Sequence, residues 1–296
     1  MSRMYSTLAS STANAVTRLT ANEAAVGRQV CGLVVLSAIL AICGKSRQAT
    51  AAGPEWEMQN PMPHSPWLVS VWAGASNSVF AVGEAGTVLH YDGANWSEMA
   101  SGTPVCLNGV WGTGPNDVFA VGDGVGWFQM TIIHYDGSGW TDMSCLLSGD
   151  NLYSVWGSGP EDVLAVGRNS VVHYDGVSWS EMYTPMILNL YALWGCGPSD
   201  VFAVGWDDGG VVLHWNGSQW AESWTPTDCA LYGVWGTGPN DVFAVGGDYA
   251  MPVRGVVLHY DGTSWSEVAE ATDILEGVWG SGLPVRRDAA LPDPRS

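Results

Sequence analysis

Leu231-Tyr-Gly-Val-Trp-Gly-Thr-Gly-Pro-Asn-Asp-Val-Phe-Ala-Val-Gly246, followed by Val256-Val-Leu-His-Tyr-Asp-Gly-Thr-Ser-Trp-Ser-Glu-Val268, is one copy of a unit that the chain repeats. Its first half recurs at Val71-Trp72, Val110-Trp111, Val155-Trp156, Leu193-Trp194, Val234-Trp235 and Val278-Trp279, with tryptophan spacings of 39, 45, 38, 41 and 44. Its second half recurs at His90-Tyr-Asp-Gly, His134-Tyr-Asp-Gly, His173-Tyr-Asp-Gly, His214-Trp-Asn-Gly and His259-Tyr-Asp-Gly. Each of these is completed by a tryptophan: Trp96, Trp140, Trp179, Trp220 or Trp265. Five copies are complete, and a sixth opens at 275–282 and then stops matching.

Within a unit, short β-branched and aromatic runs alternate with Gly, Pro, Asn and Asp, the mark of strands and tight turns. In the fifth copy the reading is strand A at 231–235, a Gly-Thr-Gly-Pro-Asn turn, strand B at 241–246, strand C at 256–260 and strand D at 265–268. Four antiparallel strands in about 41 residues is the period of a propeller blade. The expected fold is all-β, a β-propeller of five complete blades plus an incomplete sixth. Gly236 and Gly238 are expected to flank a tight turn through positive φ, and Asp117, Asp162, Asp200 and Asp241 to bond back to turn amides. Two tryptophans per unit are the expected glue between blades, since one sheet cannot cover both of its own faces.

Composition bounds the partners. The chain has 296 residues, 29 acidic and 10 basic, for a net charge of −19, with 38 glycines and 17 tryptophans. Such acidity argues against nucleic acid and anionic membranes, which are gripped by Lys and Arg. The aromatic content argues against disorder.

The turn sequence Asp92-Gly93-Ala94-Asn95-Trp96 and its equivalents carry a family resemblance. The unit resembles the Trp-rich propeller repeats of exported bacterial proteins. It is similar to Asp-box repeats of the bacterial neuraminidase type and to the propellers of photosystem assembly factors. The resemblance covers roughly residues 56–282 and implies a fold, not an activity. Sialidases of this fold hold the substrate carboxylate with three arginines. Between Glu55 and Gly282 this chain has two basic residues, Arg168 and Arg254, against 26 acidic ones, so sialidase activity is not expected.

The first 52 residues read differently. An apolar run of 14 residues, from Val30 to Cys43, follows Arg28. It is shorter than the ~20 residues of a membrane-spanning helix and suits the core of an export signal. Leu40-Ala41-Ile42-Cys43-Gly44 resembles the bacterial lipoprotein signal, with Cys43 as the lipid acceptor. Ala49-Thr50-Ala51 offers ordinary cleavage instead. The domain reading is therefore a targeting segment at 1–52, repeats at 53–282 and a non-repeat tail at 283–296. Glu55-Trp56-Glu57-Met58 resembles a strand D that would complete the sixth blade, but the intervening strands B and C are missing. A truncated propeller without activity is one reading of that gap.

A histidine present in every blade serves the blade, and five symmetric copies cannot converge on one metal. Function is expected where copies differ. The A–B and C–D turns are nearly constant, whereas the B–C and D–A loops vary and share the opposite face. Candidate ligand-binding residues there are Trp127, Phe128, Arg168, Trp206, Asp207, Asp208, Tyr249 and Arg254. Cys106 and Cys145, in D–A loops of adjacent blades, are the favoured disulfide pair, permitted by export. No catalytic residue, metal site or cofactor motif stands out. The expectation is an exported binding or scaffold protein of the cell envelope or extracellular space, recognising a protein or glycan and meeting the membrane only through a lipid at Cys43. The alternative is a carbohydrate-active enzyme using paired carboxylates.

Overall fold

The structure, a computed structural model, describes residues 29–30, 67–124, 129–144, 150–185, 189–250 and 252–280. Five four-stranded antiparallel sheets follow one another, each pairing its strands in chain order. Blade 1 runs Leu68–Ala75, Ser78–Gly83, Val88–Tyr91 and Trp96–Met99. Blade 2 runs Leu107–Gly114, Asp117–Gly122, Thr131–Tyr135 and Trp140–Asp142. Blade 3 runs Leu152–Gly159, Asp162–Gly167, Ser170–Tyr174 and Trp179–Glu181. Blade 4 runs Asn189–Gly197, Asp200–Trp206, Gly210–Trp215 and Trp220–Ser223. Blade 5 runs Ala230–Gly238, Asp241–Asp248, Arg254–Tyr260 and Trp265–Ala271. The sixth unit contributes Val278–Trp279, which pairs antiparallel with Gln29–Val30. The fold is an all-β propeller of five complete blades and the start of a sixth, with a single 3-10 turn, Glu84–Gly86, among the described residues.

Strand B is the buried spine of each blade. In blades 2 to 5 it follows one pattern, a half-exposed Asp and then an unbroken buried run such as Val201–Gly205. Strand A of each blade packs against strand A of the next. The cores lie between blades, built from residues of both neighbours.

The two tryptophan series stitch each interface from opposite directions. The strand-A indole reaches forward. A methyl placed on Gly157 would fall 2.6 Å from Trp111, on Gly195 2.7 Å from Trp156, on Gly236 2.7 Å from Trp194, and on Gly280 2.5 Å from Trp235. The glycine after each Val-Trp is thus the seat of the previous blade's indole. The strand-D indole reaches back onto strand B of the previous blade. Ring centroids are 6.1 Å apart for Phe80–Trp140, Phe119–Trp179 and Phe202–Trp265, all near edge-on, a favoured aromatic geometry. Trp265 Nε1 also donates to Ser223 Oγ at 3.2 Å. The buried Nε1 atoms of Trp140, Trp179 and Trp220 have no hydrogen-bond partner among the described residues. At the position of Ser223 the preceding blades carry Met99, Met143 and Met182, each packed in the same cluster as the corresponding indole. A thioether there supplies polarisable contact in place of a hydroxyl.

Two expectations about the turns need correction. Gly236 lies inside strand A rather than beside the tight turn, and only Gly238 borders it. Strand A continues to Gly238, the A–B turn is the two residues 239–240, and neither glycine has positive φ. Positive φ falls instead on the Asp-Gly and Asn-Gly turns between strands C and D, at Gly93, Gly137, Gly176, Gly217 and Gly262, where glycine adopts it without a Cβ clash. Nor do the strand-B aspartates serve turn amides. That role belongs to Asp92, Asp136, Asp175, Asn216 and Asp261, whose Oδ1 accepts the amides two and three residues on, for example Ala94 at 2.8 Å and Asn95 at 2.7 Å.

Candidate functional site

Strand A carries two β-bulges, and these set up the two ends of each blade. In blade 4 the register against strand B slips between Leu190 and Ala192, and again between Gly195 and Gly197. Every blade does the same at equivalent positions. A bulged residue is released from the ladder and its side chain re-aimed.

At the A–B end the bulged residues are Thr113, Ser158, Cys196 and Thr237 in blades 2 to 5. Each donates to the second oxygen of the strand-B aspartate: Thr113 to Asp117, Ser158 to Asp162, Cys196 to Asp200 at 3.2 Å, and Thr237 to Asp241 at 2.5 Å. The first oxygen accepts from the repeated histidine: His134 Nε2 at 2.6 Å, His173 at 2.7 Å, His214 at 2.5 Å and His259 at 2.8 Å. Each imidazole lies on the phenyl ring of its cross-strand neighbour where there is one, with centroids 4.4 Å apart for Phe119–His134, Phe202–His214 and Phe243–His259. The order is hydroxyl, carboxylate, imidazole, so the hydroxyl meets a carboxylate rather than the imidazole, unlike the order of a Ser-His-Asp triad. This is a clasp between strands A, B and C. Cys196, in the hydroxyl position, has its thiol pushed up to about 11 by burial and by Asp200, which makes it a poor nucleophile at neutral pH. Blade 1 departs: Ser78 replaces the aspartate and meets His90 at 3.2 Å, and burial moves His90 below its ordinary value.

At the other end, where the D–A and B–C loops meet, the bulged residues are Val69, Asn108, Tyr153, Tyr191 and Tyr232. The three tyrosines, half-buried, form a ladder around the axis with centroid steps of 5.6 and 5.4 Å. It begins beside Asn108, whose amide is fixed by Asp123 at 2.8 Å and by the Leu152 carbonyl at 2.9 Å. At its far side a cleft of about 450 Å³ opens between blades 4 and 5. Tyr191, Tyr232, Trp206 and Tyr249 line it, together with the carboxylate residues Asp208, Asp228 and Asp248. Burial and neighbouring acidic and phenolic groups raise the Tyr232 hydroxyl above its ordinary value, so it remains a neutral phenol.

A glycine at or near the end of strand B brings the loops close. A methyl on Gly122, Gly167, Gly205 or Gly246 would meet the carbonyl of Cys106, Asn151, Asn189 or Ala230, at the start of strand A or just before it, at 1.8 to 2.1 Å. The next amide uses that approach: Asp123 N donates to Cys106 O and Arg168 N to Asn151 O, both at 2.9 Å. All three non-glycine residues with positive φ, Ala85, Asn169 and Asp208, lie in B–C connections. Backbone strain among the described residues therefore concentrates on this face.

Of the candidates named from sequence, Trp206, Asp208 and Tyr249 meet in the cleft, and Asp207 lies in the same tight turn, its amide donating to Gly209 O at 3.0 Å. Arg168 lies beside Tyr153 at the other end of the ladder and pairs with Asp150 at 3.5 Å. Arg254 is committed to its own blade: Nη2 meets Glu267 at 2.7 Å and Glu270 at 3.1 Å, and Nη1 approaches Asp228 at 3.9 Å. Trp127, Phe128, Cys43 and Cys145 lie outside the described residues. Cys106, Cys196 and Cys229 form no disulfide with one another, and the Cys106 thiol donates to Asn108 Oδ1 at 3.3 Å. The tyrosines escaped sequence reading because they fall in the variable second position of the unit, which reads Val, Asn, Tyr, Tyr, Tyr and Glu from Val69 to Glu276. Among the described residues no group of His, Cys, Asp and Glu is placed to hold a metal ion, and no helix is long and apolar enough to cross a membrane.

No protein-family model and no curated protein matches the chain. Solved structures do. The WD40 β-propeller domain of Doa1 is 11% identical with a TM-score of 0.57, over 71% of this chain and 69% of that one. The WD40 repeats of RRP9 are 10% identical with a TM-score of 0.56, over 71% and 64%. YCF48 bound to D1 peptide is 15% identical with a TM-score of 0.45, over 72% and 87%. The first two likenesses show the propeller fold.

Proposed function

We propose that the chain is a non-catalytic propeller that binds a protein or glycan partner through the face formed by its B–C and D–A loops. One observation carries this. The large aromatics left exposed in and beside the blades, Trp67, Tyr183, Trp206, Trp224 and Tyr249, all belong to those loops or border them. Among the described residues Trp279, in the partial sixth unit, is the one exposed aromatic elsewhere. The opposite face is closed by turn aspartates and histidine clasps. Exposed aromatics gathered on one face are what an interface supplies. The cleft carboxylates are open to water, Asp228 at 88% exposure.

The test is a peptide and glycan array probed with the full chain and two variants. Tyr232→Ser is expected to lose the binding that wild type shows, while Val177→Ser, on a C–D turn, keeps it. Equal binding by both variants would refute the assignment of the face. The reading includes export to the cell envelope, supported by the signal pattern before residue 52. Mass spectrometry of the mature protein should find either a lipid on Cys43 or cleavage after Ala51; an uncleaved amino terminus would refute export.

A further inference from the structure

We infer that the cleft between blades 4 and 5 receives a cationic side chain, the guanidinium of an arginine in a basic peptide segment. The inference rests on the loop face being the binding face and names what that face selects.

Three features of the cleft point the same way. Its walls are aromatic: Tyr191 and Tyr232 from the ladder, with Trp206 and Tyr249 exposed at 41% and 70% from the B–C loops of the two blades. Faces of Trp and Tyr attract a cation through the ring quadrupole. Its rim is acidic, with Asp208 from the B–C loop of blade 4, Asp228 from the D–A loop and Asp248 from the end of strand B in blade 5. Finally, it contains no unpaired cation. Arg168 and Arg254 are the only basic side chains among the described residues, and both already face carboxylates. Asp228 is approached by Arg254 Nη1 at 3.9 Å, whereas no ion pair among the described residues engages Asp208 or Asp248, so an incoming cation would meet their negative charge.

The same arrangement disfavours the other occupants. A divalent metal needs oxygens converging at about 2.3–2.6 Å, and these carboxylates ring the opening without forming such a cluster. A sugar presents hydroxyls that need donors as well as acceptors, and the charged donors here are occupied. A large, weakly hydrated cation on a flexible stem fits both the aromatic wall and the dispersed charge. The ladder extends this surface from the cleft back to Tyr153 in steps of 5.4 and 5.6 Å, a path along which the peptide carrying the cation can lie.

The experiment titrates full-length protein with tetra-arginine, tetra-serine and chitotetraose, following tryptophan fluorescence and calorimetry at low and high salt. Tetra-arginine is expected to bind, and to weaken at least about tenfold in Asp208→Asn/Asp248→Asn and as salt rises. Asn tolerates the left-handed backbone of Asp208, so this variant should melt as wild type does. Glu98→Gln/Glu222→Gln, which removes two exposed strand-D carboxylates outside the cleft, is expected to leave affinity unchanged. An equal loss in both double variants would show attraction to net charge only and overturn the inference. Binding of chitotetraose or tetra-serine that depends on Tyr232, with none of tetra-arginine, would overturn it while leaving the loop-face reading intact. Tetra-arginine binding that Tyr232→Ser and the aspartate variant both leave unaltered would overturn both.

Discussion

The two bulges of strand A are the same backbone device put to opposite uses. At the A–B end the released residue is Thr, Ser, Cys and Thr in blades 2 to 5, always a small donor aimed at a strand-B aspartate. At the D–A end it is Val, Asn and then three tyrosines, which stack in a ladder that ends at the cleft. One end is held constant because each copy must clasp its own sheet. The other varies because the fold asks nothing of that side chain beyond room. A repeat protein of this kind places a constant clasp and a freely varied side chain along the length of a single strand.

Breaking the first end should cost most. Phe202→Ala removes the buried ring that carries His214 on one side and the edge of Trp265 from the next blade. A loss of about 3–5 kcal/mol is expected in urea unfolding. Asp200→Ala leaves His214 and Cys196 without their shared acceptor, for about 1–3 kcal/mol. The Cys196 thiol should also become easier to alkylate at pH 8, because its raised pKa depends partly on Asp200. If Tyr191→Ala at the opposite bulge proved as destabilising as Asp200→Ala, the division of labour between the two ends would fail. Sharpening the variable end should yield a small gain. Ala85 sits at φ 54 in a B–C turn, so Ala85→Gly should raise stability by roughly 0.5–1 kcal/mol.

The smallest effect concerns acid. Turn amides and Ser138 draw the Asp136 carboxyl down to about 2, and turn amides lower Asp92, Asp175 and Asp261 as well. Because the folded pKa lies below the unfolded one near 3.9, this stabilisation is complete above about pH 4 and lost as pH falls toward 2. Asp136→Asn should be nearly silent at pH 7, as Asn216 holds the same turn in blade 4, and should flatten the melting curve's dependence on pH between 4 and 2.

The blade period, the strand order and the role of the paired tryptophans were legible because they repeat. A residue kept through five copies reports a shared physical demand. The turns were misjudged for a related reason. Gly236 and Gly238 read as flexible turn residues, whereas Gly236 is a seat for an indole from another blade, a contact some forty residues away that no local pattern displays. The strand-B aspartates were given to turn amides because their partners, a bulged hydroxyl and a strand-C imidazole, depend on a register slip that sequence does not mark. Variation between copies points to the loop face and to Trp206, Asp208 and Tyr249, which the structure brings to one cleft, but it does not single out the tyrosine ladder, whose position carries Val, Asn, Tyr, Tyr, Tyr and Glu.

In blades 2 to 5 each unit sends one indole forward and one back, and presents both a glycine notch and a phenyl or leucyl plate to receive those of its neighbours. A gene segment encoding one unit therefore carries everything needed to join the series at either side. Duplication or loss of a segment would change the size of the array without requiring new complementary surfaces, so lineages can alter blade number more readily than they can alter the blade.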